Sequence, residues 1–325
     1  LISYSAAGGG VVGDAQQRQQ GGQIMDWRPG YLDLYEDGEL ARRAETAMEG
    51  LGQCVMCAHA CRSDRLHGEL GLCRTGRRAV VASLGRHFGE EEVLVGTGGS
   101  GTIFFANCNL ACVFCQNYDI SAGGLGSEVG AAQLANMMLQ LQSMGCHNIN
   151  FVSPSHVVPQ ILEALVIAVE QGLRLPLVYN TGGYDALPTL KLLDGVIDIY
   201  MPDFKFANEE DAQRFCGTKH YPTVAKTALR EMHRQVGDLI TDSRGIARRG
   251  LIVRHLVMPG ALDQTREIMR FIARELSGDT YVNVMGQYRP AHRALEHPQL
   301  RRPLRRSEFL EAISIARQEG LRRLA

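Results

Sequence analysis

From residue 40 onward the apolar positions of this chain follow two alternating rhythms. Leu40, Ala44, Ala47, Met48 and Leu51 recur at three- and four-residue steps, which is one face of a helix. Ala79–Ala82 reads as a short strand and Gly85–Ser100 as a glycine-rich connection. Thr102 to Ala106 then has the β-branched and aromatic content, and the length, of a buried strand. Leu134, Met137, Met138 and Leu141 make a helical stripe ending at Gly145, and Ile149–Val152 is the next strand. Pro159 opens a helix carrying Ile161, Leu165 and Val169 that stops at Gly172. Leu175–Tyr179, Val196–Met201, Leu251–Val257 and Tyr281–Met285 are further strands. Helices are expected at 208–216, 224–236 and 307–319, with another bearing Ile268, Phe271, Ile272 and Leu276 and capped by Asp263. Asp242–Gly250 reads as a turn-rich excursion. Six strands alternating with helices predict an α/β fold with a parallel sheet.

The strand at 102–106 empties directly into Cys108, Cys112 and Cys115, spaced C-x3-C-x2-C. Thiolates are soft metal ligands, and so short a spacing lets one loop wrap one centre at little closure entropy. A closed structural site wants four protein ligands, so three thiolates leave a position for an exchangeable group. The bland readings are a zinc knuckle or three buried thiols. Upstream, Cys54, Cys57, Cys61 and Cys73 place four thiols within twenty residues, in a loop with Arg62, Asp64, Arg65 and Glu69. Four-cysteine coordination suits zinc and an auxiliary iron–sulfur cluster equally, and spacing does not separate the two. His59 and His67 lie inside this group as supporting or surface residues. Polar or glycine-containing clusters follow the other strands in phase: Ser153-Pro154-Ser155-His156, Asn180-Thr181-Gly182-Gly183-Tyr184, Asp203-Phe204-Lys205, Met258-Pro259-Gly260 and Gln287-Tyr288-Arg289.

The three-cysteine spacing, the aromatic Phe114 before the last cysteine and the position after a first strand resemble the radical S-adenosylmethionine (SAM) superfamily. The following C-Q-N and the downstream segments are similar to relatives of pyruvate formate-lyase activating enzyme, over roughly Cys54 to Tyr288. The resemblance implies a partial (β/α)6 TIM-like barrel over residues 99–325, preceded by a helix and cysteine-rich segment over 25–98. It implies that Cys108, Cys112 and Cys115 hold a [4Fe–4S] cluster whose fourth iron chelates SAM. One electron would release methionine and a 5′-deoxyadenosyl radical that abstracts hydrogen from substrate. Asp203 and Lys205 match an Asp-x-Lys pair at the SAM site of the activating enzymes, and alternation would put both on one face. Arg254 matches an arginine that helps to hold the SAM carboxylate through a bidentate fork. Asn180-Thr181 replaces an Asp-Thr pair that binds a monovalent cation, so no cation is expected. Ser153, Ser155 and His156 stand where relatives carry a Gly-Gly-Glu-like segment; they are candidate SAM contacts, as are Gln287 and Tyr288. The departure puts a strict glycyl-radical activase assignment in doubt.

Composition narrows the function classes. At 325 residues and 45% hydrophobic content the chain can bury a large α/β core, and a net charge of −1 gives no general pull toward nucleic acid or membrane. Arginine outnumbers lysine, which occurs only at Lys191, Lys205, Lys219 and Lys226. Nine cysteines in CxxC-like groups, with no secretory signal, point to metal in a reducing, cytoplasmic compartment rather than to a disulfide scaffold. The Gly/Gln/Ser-rich residues 1–24 read as a disordered or non-native leader before Met25. Three functions stand open. They are activation of a glycyl-radical protein; modification of a small molecule, peptide or RNA; and a non-catalytic zinc or iron–sulfur module. The first two need SAM and a low-potential donor such as flavodoxin or ferredoxin. Arg289, Arg293, Arg301, Arg302, Arg305 and Arg306 are the residues that would contact RNA phosphate.

Overall fold

The computed structural model describes residues 27–325; the expected leader and Met25 lie outside the described residues. Its strands are β1 (Ala79–His87), β2 (Ser100–Phe105), β3 (Ser127–Val129), β4 (Ile149–Val152), β5 (Leu177–Thr181), β6 (Ile199–Pro202), β7 (Ile240–Thr241), β8 (Ala247–Leu256), β9 (Tyr281–Met285) and β10 (Arg323–Leu324). They form one sheet in the order β10-β9-β8-β6-β5-β4-β2-β1-β3, with β7 attached to β8. From β2 through β4, β5, β6, β8 and β9 to β10 every neighbouring pair is parallel. The sheet ends at β3 and β10 without closing, which makes it a partial barrel of the TIM-like kind.

The central strands are buried along their whole length, all five residues of β5 and all four of β6. Strands covered on both faces read as continuous apolar runs, and parallel sheets need that double cover. Helices at Ala131–Ser143, Val158–Glu170, Tyr221–Val236, Leu262–Phe271 and Arg306–Gln318 supply it. The helix Glu39–Glu49 turns Leu40, Ala44 and Ala47 into the same core, against Val158–Glu170.

Several expectations need correction. The stretch from Gly85 is not simply a connection: β1 continues to His87 and pairs antiparallel with β2, because Leu84, Gly85 and Arg86 find backbone partners in Ile103, Thr102 and Gly101. Glu92–Val95 adds a helical turn. Part of the excursion at 242–250 is strand, since Ala247 and Arg249 pair with β7. Asp263 lies in the first turn of its helix rather than at its cap, which is Ala261 and has no side-chain bond. The third core strand starts at Leu177, two residues late, because Asp198 Oδ2 accepts the Leu177 N–H at 2.9 Å where Pro176 precedes it. β10 was not foreseen, being two residues long and recognisable only by its partner β9.

Candidate functional site at the strand ends

Five strand-to-strand steps separate β2 from β9, which in a flat sheet is roughly 24 Å at ~4.8 Å per step. Yet one cavity of about 230 Å³ is lined by Phe105 of β2 and Met285 of β9, and between them by Ser153, Asn180, Thr181, Asp203, Lys205 and Arg254. The sheet is therefore curled, and its C-terminal strand ends converge. The same cavity is lined by Cys108, Cys112, Cys115 and Gln287.

The cysteine loop is held in place from several sides. Asn107 sits at φ 66°, a left-handed conformation that asparagine tolerates, and so turns the chain out of β2. Its N–H donates to the Ile120 carbonyl at 3.0 Å and closes the neck of the loop. Within the loop, Ala111 N–H donates to Cys216 O at 3.2 Å and Val113 N–H to Phe215 O at 2.9 Å. Asn109 Nδ2 donates to Tyr184 O at 2.8 Å, and a His59 ring nitrogen meets Asn109 O at 2.6 Å. Burial pushes the Cys108 thiol up to about 12 and raises Cys115 as well. Such thiols keep their protons until a metal displaces them. The Lys205 charge works in the other direction at both.

Across the cavity, Asp203 accepts from Lys205 Nζ at 2.6 Å and from Arg254 Nε at 2.9 Å. Burial pushes its carboxyl up, but the Arg254 and Lys205 charges outweigh burial and hold it below the usual range. Burial likewise opposes the Lys205 ammonium, and Asp203 more than compensates. Arg254 also donates Nη2 to Asn180 Oδ1 at 2.6 Å, while Nη1 lies 3.6 Å from Glu90. Two cations facing one firmly ionised carboxylate leave positive charge beside the thiols. Gly182 completes the wall, since a Cβ there would stand 2.8 Å from Leu110 Cδ1 and fill the space beside Lys205.

A family model described as the radical SAM superfamily matches residues 102–272, from the first core strand into the helix that follows β8. The chain belongs to the radical SAM superfamily. It is 33% identical over 302 residues to the uncharacterized protein MJ0674 of Methanocaldococcus jannaschii, covering 90% of this chain and 80% of that protein. Among solved structures it is similar to Streptococcus suis SuiB, with TM-score 0.45, 12% identity and 68% of this chain covered; it spans 47% of SuiB. It is also similar to QueE from Escherichia coli, at TM-score 0.42 and 11% identity over 81% of this chain and 97% of that one. A structure of TYW1 with a lysine-pyruvate adduct bound matches at TM-score 0.42 and 11% identity, over 67% and 73%. Membership of the radical SAM superfamily implies a [4Fe–4S] cluster and SAM. No helix of the described residues is long and apolar enough to cross a membrane.

Three of the candidate SAM contacts stay out of the cavity of this radical SAM domain. Ser155 is 1% exposed and bonds Thr181 Oγ1 at 2.8 Å, which in turn donates to the buried Asp185. His156 is equally buried, with one ring nitrogen 3.2 Å from Ala106 O; burial, and the Arg65 charge after it, lower its pKa to about 4. Tyr288 turns inward to donate to Leu300 O at 2.7 Å. Ser153, at φ 59°, is the member of its cluster that lines the cavity.

The four-cysteine segment lies on the other side of the cysteine loop, near Asp185, whose backbone bridges to Cys57. Burial pushes Cys57 up to about 12, with the charges of Cys73, Cys54 and Cys61 adding to it. Gly71 permits the approach of two of them: a Cβ there would stand 2.9 Å from Cys61 Sγ and 3.7 Å from Cys73 Sγ. Arg65 is 1% exposed, and its Nη1 donates to Cys54 Sγ at 3.4 Å and to His156 O at 2.9 Å. Its remaining guanidinium bonds go to the Gly76 carbonyl, and among the described residues none of its partners is a carboxylate. His59 serves the cysteine loop and His67 pairs with Asp64 at the surface.

Two residues escaped the sequence reading. Glu90 belongs to an E-E-E run inside the stretch expected to be connection, and that run was the available signal. Cys216 offered none: it is a single cysteine before a helix-terminating glycine, and only the fold brings it to Cys112.

Proposed function

We propose that this radical SAM protein binds SAM in the cavity at the strand ends and directs a hydrogen abstraction from a substrate entering there. The observation that carries the reading is the meeting of Cys108, Cys112 and Cys115 with Asp203, Lys205 and Arg254 around one cavity. Three thiols in one loop suit three irons of a [4Fe–4S] cluster, and the Lys205 charge favours their ionised form. When bound, the cluster supplies the electron that splits the SAM sulfonium and generates a carbon radical. The chain's own groups do the rest. Arg254 and Lys205 offer donors to a carboxylate, Asp203 and Asn180 keep those donors aimed, and Ser153 and Gln287 line the mouth. An incoming carboxylate competes with Asn180 and Glu90 for the guanidinium. Apolar walls at Phe105, Leu110, Phe114 and Met285 keep water from the reacting carbon.

The finer reading is activation of a glycyl-radical protein, with a flavodoxin or ferredoxin as electron donor. The C-Q-N that follows the second cysteine step and the Asp203-x-Lys205 pair support it, since both resemble the activating enzymes. RNA modification has less support, because Arg293 and Arg302 are already engaged by Glu296 and Glu308. A non-catalytic module would not need the Asp203, Lys205 and Arg254 wall. The test is 5′-deoxyadenosine release by anaerobically reconstituted, dithionite-reduced protein. Release is expected from the wild type and not from the Cys108/Cys112/Cys115→Ala variant, and equal yields would refute the reading.

The four-cysteine segment reads as a second metal centre, zinc or iron–sulfur. Four thiolates around Zn²⁺, or around a [4Fe–4S]²⁺ cluster, leave two net negative charges, and the buried Arg65 guanidinium offsets one of them. A buried arginine without a carboxylate partner needs such a counter-charge. Among the described residues no three His, Cys, Asp or Glu side chains already stand at the spacing of a single metal ion, so loading would draw the sulfurs inward.

A further inference from the structure

Cys216 ends the helix Glu209–Cys216, and Gly217 at φ 77° turns the chain away behind it. Its thiol is 1% exposed, and its Sγ lies 3.2 Å from Cys112 Sγ. The two backbone bonds from Ala111 N–H to Cys216 O and from Val113 N–H to Phe215 O bracket Cys112 on either side. They tie the backbone at the end of this helix to the loop on both sides of Cys112. Cys216 is not among the residues lining the cavity at the strand ends; it reaches a second cavity of about 380 Å³, on the opposite side of the loop, with Arg74 and His292. It therefore meets Cys112 away from the cavity at the strand ends.

We propose that Cys216 is a positioning residue whose S–H donates a hydrogen bond to the Cys112 sulfur once Cys112 is bound to iron, raising the reduction potential of the centre. The inference rests on the assignment of Cys108, Cys112 and Cys115 as ligands. An iron-bound thiolate carries no proton, so of the two sulfurs only Cys216 is able to donate. A hydrogen bond to a ligand sulfur stabilises the more negative, reduced state, and such partners are among the levers that set iron–sulfur potentials.

The test compares Cys216→Ala and Cys216→Ser with wild type after anaerobic reconstitution, by iron and sulfide content and by an EPR-followed redox titration without SAM. Equal iron is expected in all three. In Cys216→Ala the reduction equilibrium should shift about two- to tenfold toward the oxidised form, tenfold being 59 mV for a one-electron couple. Cys216→Ser keeps a donor and should stay at or above the wild-type potential. Equal midpoints in wild type and Cys216→Ala would overturn the proposal, and so would iron loss in either variant, which marks Cys216 as a ligand. A wild type that takes up no iron would refute the ligand assignment itself. The contact is tested separately in metal-free protein, where two ferricyanide ions take two electrons, two protons leave and a disulfide forms. Peptide mapping should find Cys112 joined to Cys216, and a Cys216 left as free thiol would overturn the geometry.

Discussion

The Asp203–Lys205 pair is the sharpest place to test the cavity, because its charges are set by packing rather than by solvent. The two side chains are 15% and 17% exposed, and Asp203 also holds Arg254. Replacing Asp203 with Asn keeps the shape and one acceptor but leaves two neighbouring cations with no carboxylate between them. Breaking a fully enclosed ion pair costs ~3–5 kcal/mol. These groups border a cavity, so about 2–3 kcal/mol is the expected loss on the same principle. Lys205→Met removes the second partner and relieves part of that loss. The Asp203→Asn/Lys205→Met double variant should therefore be more stable than the sum of the single effects, by roughly 1–2 kcal/mol in the cycle. Urea unfolding of metal-free protein measures stability, and SAM titration of reconstituted protein measures binding. Loss of one charge-assisted bond in Lys205→Met should weaken SAM about tenfold or more while iron content stays full. Effects additive to within ~0.5 kcal/mol would refute the coupling, and unchanged SAM affinity with full iron would refute the role of this wall.

Two further outcomes follow from particular residues. Zinc or residual iron and sulfide should remain bound in the Cys108/Cys112/Cys115→Ala variant and disappear when Cys54, Cys57, Cys61 and Cys73 are also replaced; metal-free triple variant would show that the segment holds no centre. Glu90 is pushed up to about 7 by burial, which outweighs the Arg254 charge. Its acid form is thus favoured by folding: the stabilisation is whole below about 4.5 and is lost as pH rises through about 7. The shift corresponds to on the order of 3 kcal/mol. Glu90→Gln should flatten the unfolding free energy between pH 5 and 8, and an unchanged profile would show that Glu90 is not the group titrating.

The alternation of strand and helix, the cysteine loop after the first core strand and the polar phase of the strand ends are all legible in the order of residues alone. These are local signals: side-chain periodicity follows from backbone geometry, and a metal-binding loop needs its ligands close in sequence. The parallel order of β2, β4, β5, β6, β8 and β9 then follows from helical crossovers that return the chain to the same end of the sheet. What the sequence left open depended on partners far along the chain. β1 extended into the glycine-rich stretch because β2 offered it hydrogen bonds. Ser155 and His156 carry the right atoms for SAM, but the turn after β4 points them at Thr181 and Ala106 instead. Arg65 is one of four charged residues of a polar loop in the sequence, and only folding buries it against Cys54. Cys216 lies 104 residues from Cys112 in the chain, and only the return of one helix end onto the cysteine loop brings their sulfurs to 3.2 Å. Periodicity reports which face of an element is buried, whereas the identity of the atom facing it is decided when the sheet curls and the strand ends meet.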